Sequence, residues 1–286
     1  MTPAGGVFIL GAGRAGRGLS RALRASGIDV VGLHGRRSEA TPDLVTAGPL
    51  PAAARDAATI IVAVRDGQID GALGELAEAS LASGAVVLHA SGSAEPAGLT
   101  RLRALRHPCG TFHPLVPIAD PGRARDLLRG AWIGVDGDAR AIARAQSLAT
   151  ALGAHPMRIP SGEKATYHAA AVIASNFPTV LAALAADLLV GIGVDAGDAW
   201  GATRALMRGA VDNLEGETAA RALTGPIARG DVETVRKHLA ALAPHAGTRA
   251  LYASLGAAAV DIARRGGTDE AALEEIARLL AWVARG

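Results

Sequence analysis

The sequence predicts an α/β domain built on a doubly wound parallel sheet, followed by an all-helical C-terminal domain. Three observations predict it. Short apolar runs alternate with helical patterns through residues 1–159, and that alternation builds a parallel sheet with helices on both faces. The first run, Val7-Phe8-Ile9-Leu10, breaks into Gly11-Ala12-Gly13-Arg14-Ala15-Gly16 and then into a helical pattern. After Pro160 no buried-strand pattern remains, and Ala/Leu-rich helices run on through residues 160–286.

Composition narrows the class. A chain of 286 residues suits one large or two ordinary domains. Half of it is hydrophobic and only 3% aromatic, so Ala, Leu and Val must fill the core. With 29 basic against 27 acidic residues the net charge is +2, which gives no basic field for nucleic acid. The single cysteine, Cys109, rules out a disulfide within the chain. The start is too polar, and too soon structured, for a signal peptide. The longest uncharged run, 169–186, is mostly Ala and contains Ser175, Asn176, Pro178 and Thr179. A membrane span needs about 20 strongly apolar residues. The run is expected as a buried helix and the protein as cytoplasmic, with no membrane and no nucleic-acid partner.

In chain order, the glycine turn comes first. Gly11 permits the tight turn, Gly13 lets the backbone approach a pyrophosphate, and Gly16 lets helix and strand pack closely, with the helix N-terminus facing the anion. Ala12, Arg14 and Ala15 complete this cofactor-binding turn. The next strand, 28–34, ends in Gly35-Arg36-Arg37. An NAD site usually carries an acid here for the ribose 2′-hydroxyl, whereas arginine accommodates a 2′-phosphate. The missing acid and the present Arg36 and Arg37, with Arg14 nearby, favour NADP(H). A solvated loop in an Arg-rich protein is the plainer alternative. Residues 41–58 are poorly patterned. The runs 59–64 and 85–89 read as buried strands, with helices expected after each, the second over 95–106. Strands are expected again at 109–113, 131–135 and 155–159, with a helix over 138–152. Breaks in the helical half fall at 191–197, 224–230, 244–247 and 265–268.

Ligands of open α/β sheets bind outside the carboxyl ends of the strands. Val64, Arg65, Asp66, His89 and Ser91 are therefore expected to face the nicotinamide half of the cofactor. Ser91, Gly92, Ser93 and His113 are expected to face a substrate. The Ser91–Ser93 stretch also reads as an ordinary turn that caps the following helix. Ser161 is a good N-cap, which puts Lys164 at the third helical position. The helix N-terminus should lower the pKa of Lys164 and suit it to proton transfer. Only Lys164 and Lys237 are lysine in this Arg-rich chain; arginine can replace a surface lysine but not one that must release a proton. His168 and Ser175 follow Lys164 on the same face, with Asn176 further round. Lys164 and His168 are the catalytic candidates, and Ser175, Asn176 and Arg229 are substrate-binding candidates. The plainer readings are a solvated lysine, a satisfied core histidine, and turn chemistry for 224–231. A meeting of His89, His113 and His168 in space would raise a metal site, but no H-E-x-x-H, cysteine pair or dense carboxylate cluster supports one, and none is expected. The apolar surface of the helical half points to a homodimer formed through it.

With these residues in view, the chain resembles the 6-phosphogluconate-dehydrogenase-like superfamily. That superfamily joins an NAD(P)-binding Rossmann domain to an all-helical C-terminal domain. More closely, the chain resembles an uncharacterised bacterial family with a Rossmann-like domain and a C-terminal domain of unknown function. The matching stretches are the Gly11 to Gly16 turn, His89-Ala90-Ser91-Gly92, Phe112-His113-Pro114-Leu115, Lys164 through Tyr167-His168 to Ser175-Asn176-Phe177, and Leu223 through Asp231. In the hydroxyacid dehydrogenases of the superfamily a lysine opens the interdomain helix and an Asn follows four residues later. The resemblance carries the lysine role onto Lys164 but not the Asn, because His168 stands there. His89 stands where their substrate loop has Asp, and Pro96 falls one residue late. These departures point away from a hydroxyacid substrate.

The resulting expectation is an NADP-dependent oxidoreductase that acts on a small carbonyl, alcohol or imine in a cleft between the domains. An NADP-binding sensor or regulatory protein without turnover is the alternative. A methyltransferase built on the same glycine turn is less well served, since Arg36-Arg37 replaces the acid it would want.

Overall fold

The computed structural model describes residues 5–40, 43–95 and 98–283. In chain order the elements are β1 (Val7–Leu10), α1 (Arg14–Ala25), β2 (Val30–His34), α2 (Ala52–Asp56), β3 (Thr59–Val62), α3 (Ile69–Glu78) and β4 (Val86–His89). Then come α4 (Gly98–Ala104), β5 (Cys109–Pro114), α5 (Ala124–Leu128), β6 (Trp132–Gly137), α6 (Ala139–Ala151) and β7 (His155–Arg158). Six helices follow: α7 (Lys164–Gly191), α8 (Ala196–Asp212), α9 (Ala219–Ala222), α10 (Val232–Ala241), α11 (Ala246–Arg265) and α12 (Glu270–Val283).

The strands form one 7-stranded sheet in the order β2-β1-β3-β4-β5-β6-β7. Side chains alternate across it, as the pleat requires. Val7, Ile9, Ile61, Leu88 and Phe112 pack on one face with Leu19, Leu23, Leu128 and Leu148 of α1, α5 and α6. Phe8, Leu10, Ile60, Val62 and Val87 pack on the other with Leu73, Leu76, Leu99 and Leu102 of α3 and α4. Helices therefore cover both faces, as a doubly wound sheet demands.

Two strands, β6 and β7, run against the rest. β6 pairs antiparallel with β5, while β6 and β7 are parallel to each other. The sheet is the expected doubly wound, predominantly parallel one, and the β5–β6 pairing is its one antiparallel ladder. A parallel neighbour needs a connection that crosses the sheet to the starting edge. The 115–131 connection instead packs α5 on α1 and returns to the edge it left, where Leu115 N donates to Trp132 O at 2.9 Å.

The chain divides into two compact units, 1–177 and 178–286. The 159/160 boundary marks the end of the sheet; by compactness the first half of α7 goes with the sheet unit. The second unit has its own core, in which Val235 and Leu239 of α10, Ala253 and Val260 of α11, and Leu273, Ile276 and Leu280 of α12 pack together.

The 169–186 run is helical, as part of α7, but it is not buried. Ile173, Phe177, Val180 and Leu181 are exposed. Nothing in the sequence pattern distinguishes a helix covered by its own chain from one left open. By length and composition α7 alone, among the described residues, could cross a membrane. Helix α4 starts at Gly98 among the described residues, and Pro96 lies outside them.

Candidate functional site

The glycine turn stands where the sequence puts it, between β1 and α1. Gly11 has φ +122°, and a Cβ there would overlap Ala63 O. A Cβ on Gly16 would overlap Gly11 O, so strand and helix approach as closely as backbone allows. Gly13 is the N-cap of α1, and a Cβ there would meet nothing within 4 Å. The first turn of α1 carries no acid, so its free amide groups leave an electropositive helix end.

Beside it, Arg17 and Arg21 of α1 hold the loop after β2. Arg21 Nε and Nη2 donate to Asp43 at 2.8 and 2.9 Å, and Arg17 reaches both Asp43 and Glu39. The Arg21 guanidinium, with help from Arg17, holds the Asp43 carboxyl below its usual pKa against the opposing effect of burial. Arg14, Arg36 and Arg37 are exposed and form no ion pair among the described residues. His34, at the end of β2, is buried, with Nδ1 on Thr46 Oγ1 and Nε2 on Gly48 O.

A polar row crosses the carboxyl end of the sheet. Register pairs His89 of β4 with Thr111 of β5, and Thr111 with Asp136 of β6. Lys164 lies over this row. Its Nζ is 3.3 Å from His89 Nε2, 3.1 Å from Ala94 O and 3.7 Å from Asp136 Oδ2. His89 and Thr111 have no exposed surface, and Lys164 is buried. Thr111 Oγ1 is 3.2 Å from the same His89 nitrogen. His89 Nδ1 has no partner among the described residues.

The next row carries the second cluster. Register pairs His113 with Gly134, and Tyr167 fills the space that a Cβ on Gly134 would occupy. Tyr167 Oη lies 2.8 Å from His113 Nδ1. The His113 and His168 rings meet edge to face at 6.0 Å between centroids. A Cβ on Gly92 would stand 2.6 Å from His113 Cε1 and 2.8 Å from His168 Nδ1. Glycine is thus required for the two rings to close over the loop after β4.

Burial sets the proton affinities. It pushes His89 down to about 3 and His113 down to about 4, helped by Lys164 and His168 respectively, so both imidazoles are neutral. Burial also lowers Lys164 below its usual value, while Asp136 and Glu95 partly oppose it. The direction matches the sequence expectation, but burial rather than the helix terminus is its largest cause. Tyr167 is pushed well above its usual value by burial and stays a neutral donor.

Lys164 also starts its helix differently. It is the first residue of α7 rather than the third, and Ser161 does not cap it. Gly162 has φ +81°, which no helical residue adopts. The first helical bond runs from Tyr167 N to Glu163 O, which leaves Ser161 and Gly162 in a turn.

The other candidates sort by place. Val64, Arg65 and Asp66 follow β3, and Asp66 Oδ2 accepts from Ser93 Oγ at 3.0 Å, which ties the loops after β3 and β4. Ser91 Oγ accepts from Ser93 N and Ala94 N at 3.3 and 3.0 Å, as a turn-capping hydroxyl does. His89 lies beneath Lys164, fully enclosed. Ser175 is exposed and donates to Asn176 Oδ1; seven residues of helix place it about 10 Å along the axis from His168, outside the cluster. Arg229 belongs to the second unit, exposed on the 224–230 turn. Sequence reasoning placed Thr111 at a strand end but missed its contact with His89, and it missed Asp136 and the role of Tyr167. Tyr167 had a signal: it is one of two tyrosines and sits between Lys164 and His168. Among the described residues no group of three or more His, Cys, Asp or Glu is placed to hold a metal.

The fold defines the class: a Rossmann-type sheet domain with a glycine turn, followed by a helical segment. Residues 131–259 match the family model described as Domain of unknown function (DUF2520). No curated protein matches the chain by sequence. Among solved structures, a Bacteroides fragilis protein described as a candidate NADP oxidoreductase is 21% identical, with a TM-score of 0.69, over 89% of this chain and 97% of that one. A Thermotoga maritima protein is 23% identical, with a TM-score of 0.64, over 98% of each. Plasmodium falciparum pyrroline carboxylate reductase, solved with NADP bound, is 12% identical, with a TM-score of 0.61, over 98% of this chain and 99% of that one. At these identities the likeness is one of fold, and that fold is the expected Rossmann sheet plus helices.

Proposed function

We propose that the protein is an NADP-dependent oxidoreductase acting on a small carbonyl, alcohol or imine. The observation that carries the reading is one edge of one sheet: it bears the open glycine turn with Arg14, Arg36 and Arg37 beside it, and also a buried lysine with a tuned proton affinity. The residues fit the cofactor, since Gly13 leaves open space at the helix N-terminus and three exposed guanidinium groups are free for a 2′-phosphate. When bound, NADPH supplies the hydride. The chain supplies the rest. Gly11 to Gly16 and the first amides of α1 hold the pyrophosphate. Lys164 Nζ holds the proton that goes to the substrate oxygen or nitrogen as negative charge develops there. His113, neutral and half-buried, and the half-buried His168 orient the substrate. NADP oxidoreductases of the same fold support the reading.

The test is a titration with NADPH and NADH side by side. NADPH is expected to bind at least about tenfold tighter, about 1.4 kcal/mol, and Arg36→Ala/Arg37→Ala to erase the difference. Absence of binding by either nucleotide would overturn the reading. Tight NADPH binding with no turnover on carbonyl and imine panels would instead indicate a sensor.

A second copy of the chain is the proposed partner, seated on α7. Ile173, Phe177, Val180 and Leu181 are exposed at helical spacing along one face of α7. No acid, lysine or arginine interrupts residues 165–186. Such a stripe is complementary to itself across a two-fold axis.

A further inference from the structure

Lys164 is surrounded by more than the proposed chemistry needs. An ammonium has three N–H donors, and three acceptors stand around it: Ala94 O, Asp136 Oδ2 and His89 Nε2. The first two are what any buried lysine would seek. The third is unusual, because a histidine can lie under a cation as an acceptor only while it stays neutral. To accept from Lys164, His89 must carry its hydrogen on Nδ1, which is buried and has no partner. Leaving that donor unpaired has a cost, so the arrangement needs a reason. Thr111, opposite His89 in the register, packs its Oγ1 3.2 Å from the same nitrogen.

We infer that His89 is a positioning residue for Lys164: a neutral imidazole, held on β4 and packed against Thr111, whose Nε2 accepts from the ammonium and sets both its direction and its hold on its proton. The inference rests on reading Lys164 as the proton donor. The charged and titratable groups that face Lys164 are Asp136 on β6, Glu95 after β4, Arg103 on α4 and His113 on β5. Asp136 and Glu95 favour the ammonium, and Arg103 disfavours it. His89 is the uncharged member of the set. Its contribution is one hydrogen bond to the charged form, which raises a lysine pKa. It therefore offsets part of the desolvation that lowers Lys164.

The test needs neither nucleotide nor substrate, so its failure is distinct from failure of the oxidoreductase reading. The chain has two lysines, and Lys237 is exposed, so it serves as an internal reference. Trace acylation with acetic anhydride across a pH series, read by mass spectrometry of the two lysine peptides, gives the midpoint of Lys164. His89→Leu removes the acceptor and is expected to lower that midpoint by about one pH unit, a tenfold gain in free amine at a given pH. His89→Gln, whose amide oxygen restores an acceptor, is expected to bring it back to within about 0.3 units. In the same protein, nitrogen-15 spectra of the imidazoles are expected to show a neutral ring with hydrogen on Nδ1 at neutral pH that is lost in His89→Gln. An unchanged midpoint in a folded His89→Leu, or hydrogen on Nε2, overturns the inference. Where the reagent fails to reach Lys164, the tautomer decides alone.

Discussion

Lys164 Nζ lies 3.3 Å from His89 Nε2, across 75 positions of sequence. A buried ammonium thus rests on a neutral imidazole, with one carboxylate, Asp136, slightly further off at 3.7 Å. A cation so placed is poorly solvated and lightly compensated, which suits release of a proton and not permanent ion pairing.

Replacing the ammonium separates its chemical from its structural role. Lys164→Met is expected to reduce turnover by at least about 100-fold and to leave NADPH affinity within a few-fold. The melting temperature is expected to stay level or rise, since an apolar side chain of similar length replaces a buried charge. Parallel binding, activity and melting measurements check this; loss of nucleotide binding along with turnover counts against the assigned role.

The glycine under the histidine pair is a packing constraint. Gly92→Ala places a methyl 2.6 Å from His113 Cε1 and 2.8 Å from His168 Nδ1. The rings must part, and the His113–Tyr167 hydrogen bond goes with them. Equilibrium urea unfolding is expected to show a loss of about 1–3 kcal/mol. Unchanged stability would mean that the rings are free to move.

The buried imidazoles make stability depend on pH. His89 and His113 have folded values of about 3 and about 4, against an ordinary 6.5. Between these limits the unfolded chain binds more protons than the folded one, so stability rises with pH. It is expected to be lost progressively as pH falls from about 6.5 towards 4, and His113→Asn is expected to flatten the slope. Melting temperatures across that range are the readout, and a flat profile in the parent chain contradicts buried neutral histidines.

The exposed stripe on α7 should govern assembly. Light scattering is expected to give a dimer for the parent chain and a monomer for Ile173→Glu/Phe177→Glu. A monomeric parent that binds phosphatidylcholine vesicles would assign the stripe to lipid instead.

Much of the architecture was legible in local pattern. The apolar runs of β1, β3 and β4, the Gly11–Gly16 spacing and the helical breaks near 191–197 and 244–247 depend on residues close in sequence. The start of α7 was misjudged because a good capping residue, Ser161, precedes a glycine in a left-handed turn. The openness of α7 was misjudged because an uncharged Ala/Leu run looks the same whether or not its own chain covers it.

The sequence by itself determined the sheet, the glycine turn, its arginine surroundings and the singularity of Lys164. These rest on periodicity and residue type, which local sterics read directly. The tertiary structure alone decided that β6 turns back antiparallel, and that His89, Thr111 and Asp136 fall in one row beneath Lys164. Register is set by hydrogen bonds between strands remote in sequence, and a slip of one residue would turn each of these side chains to the opposite face.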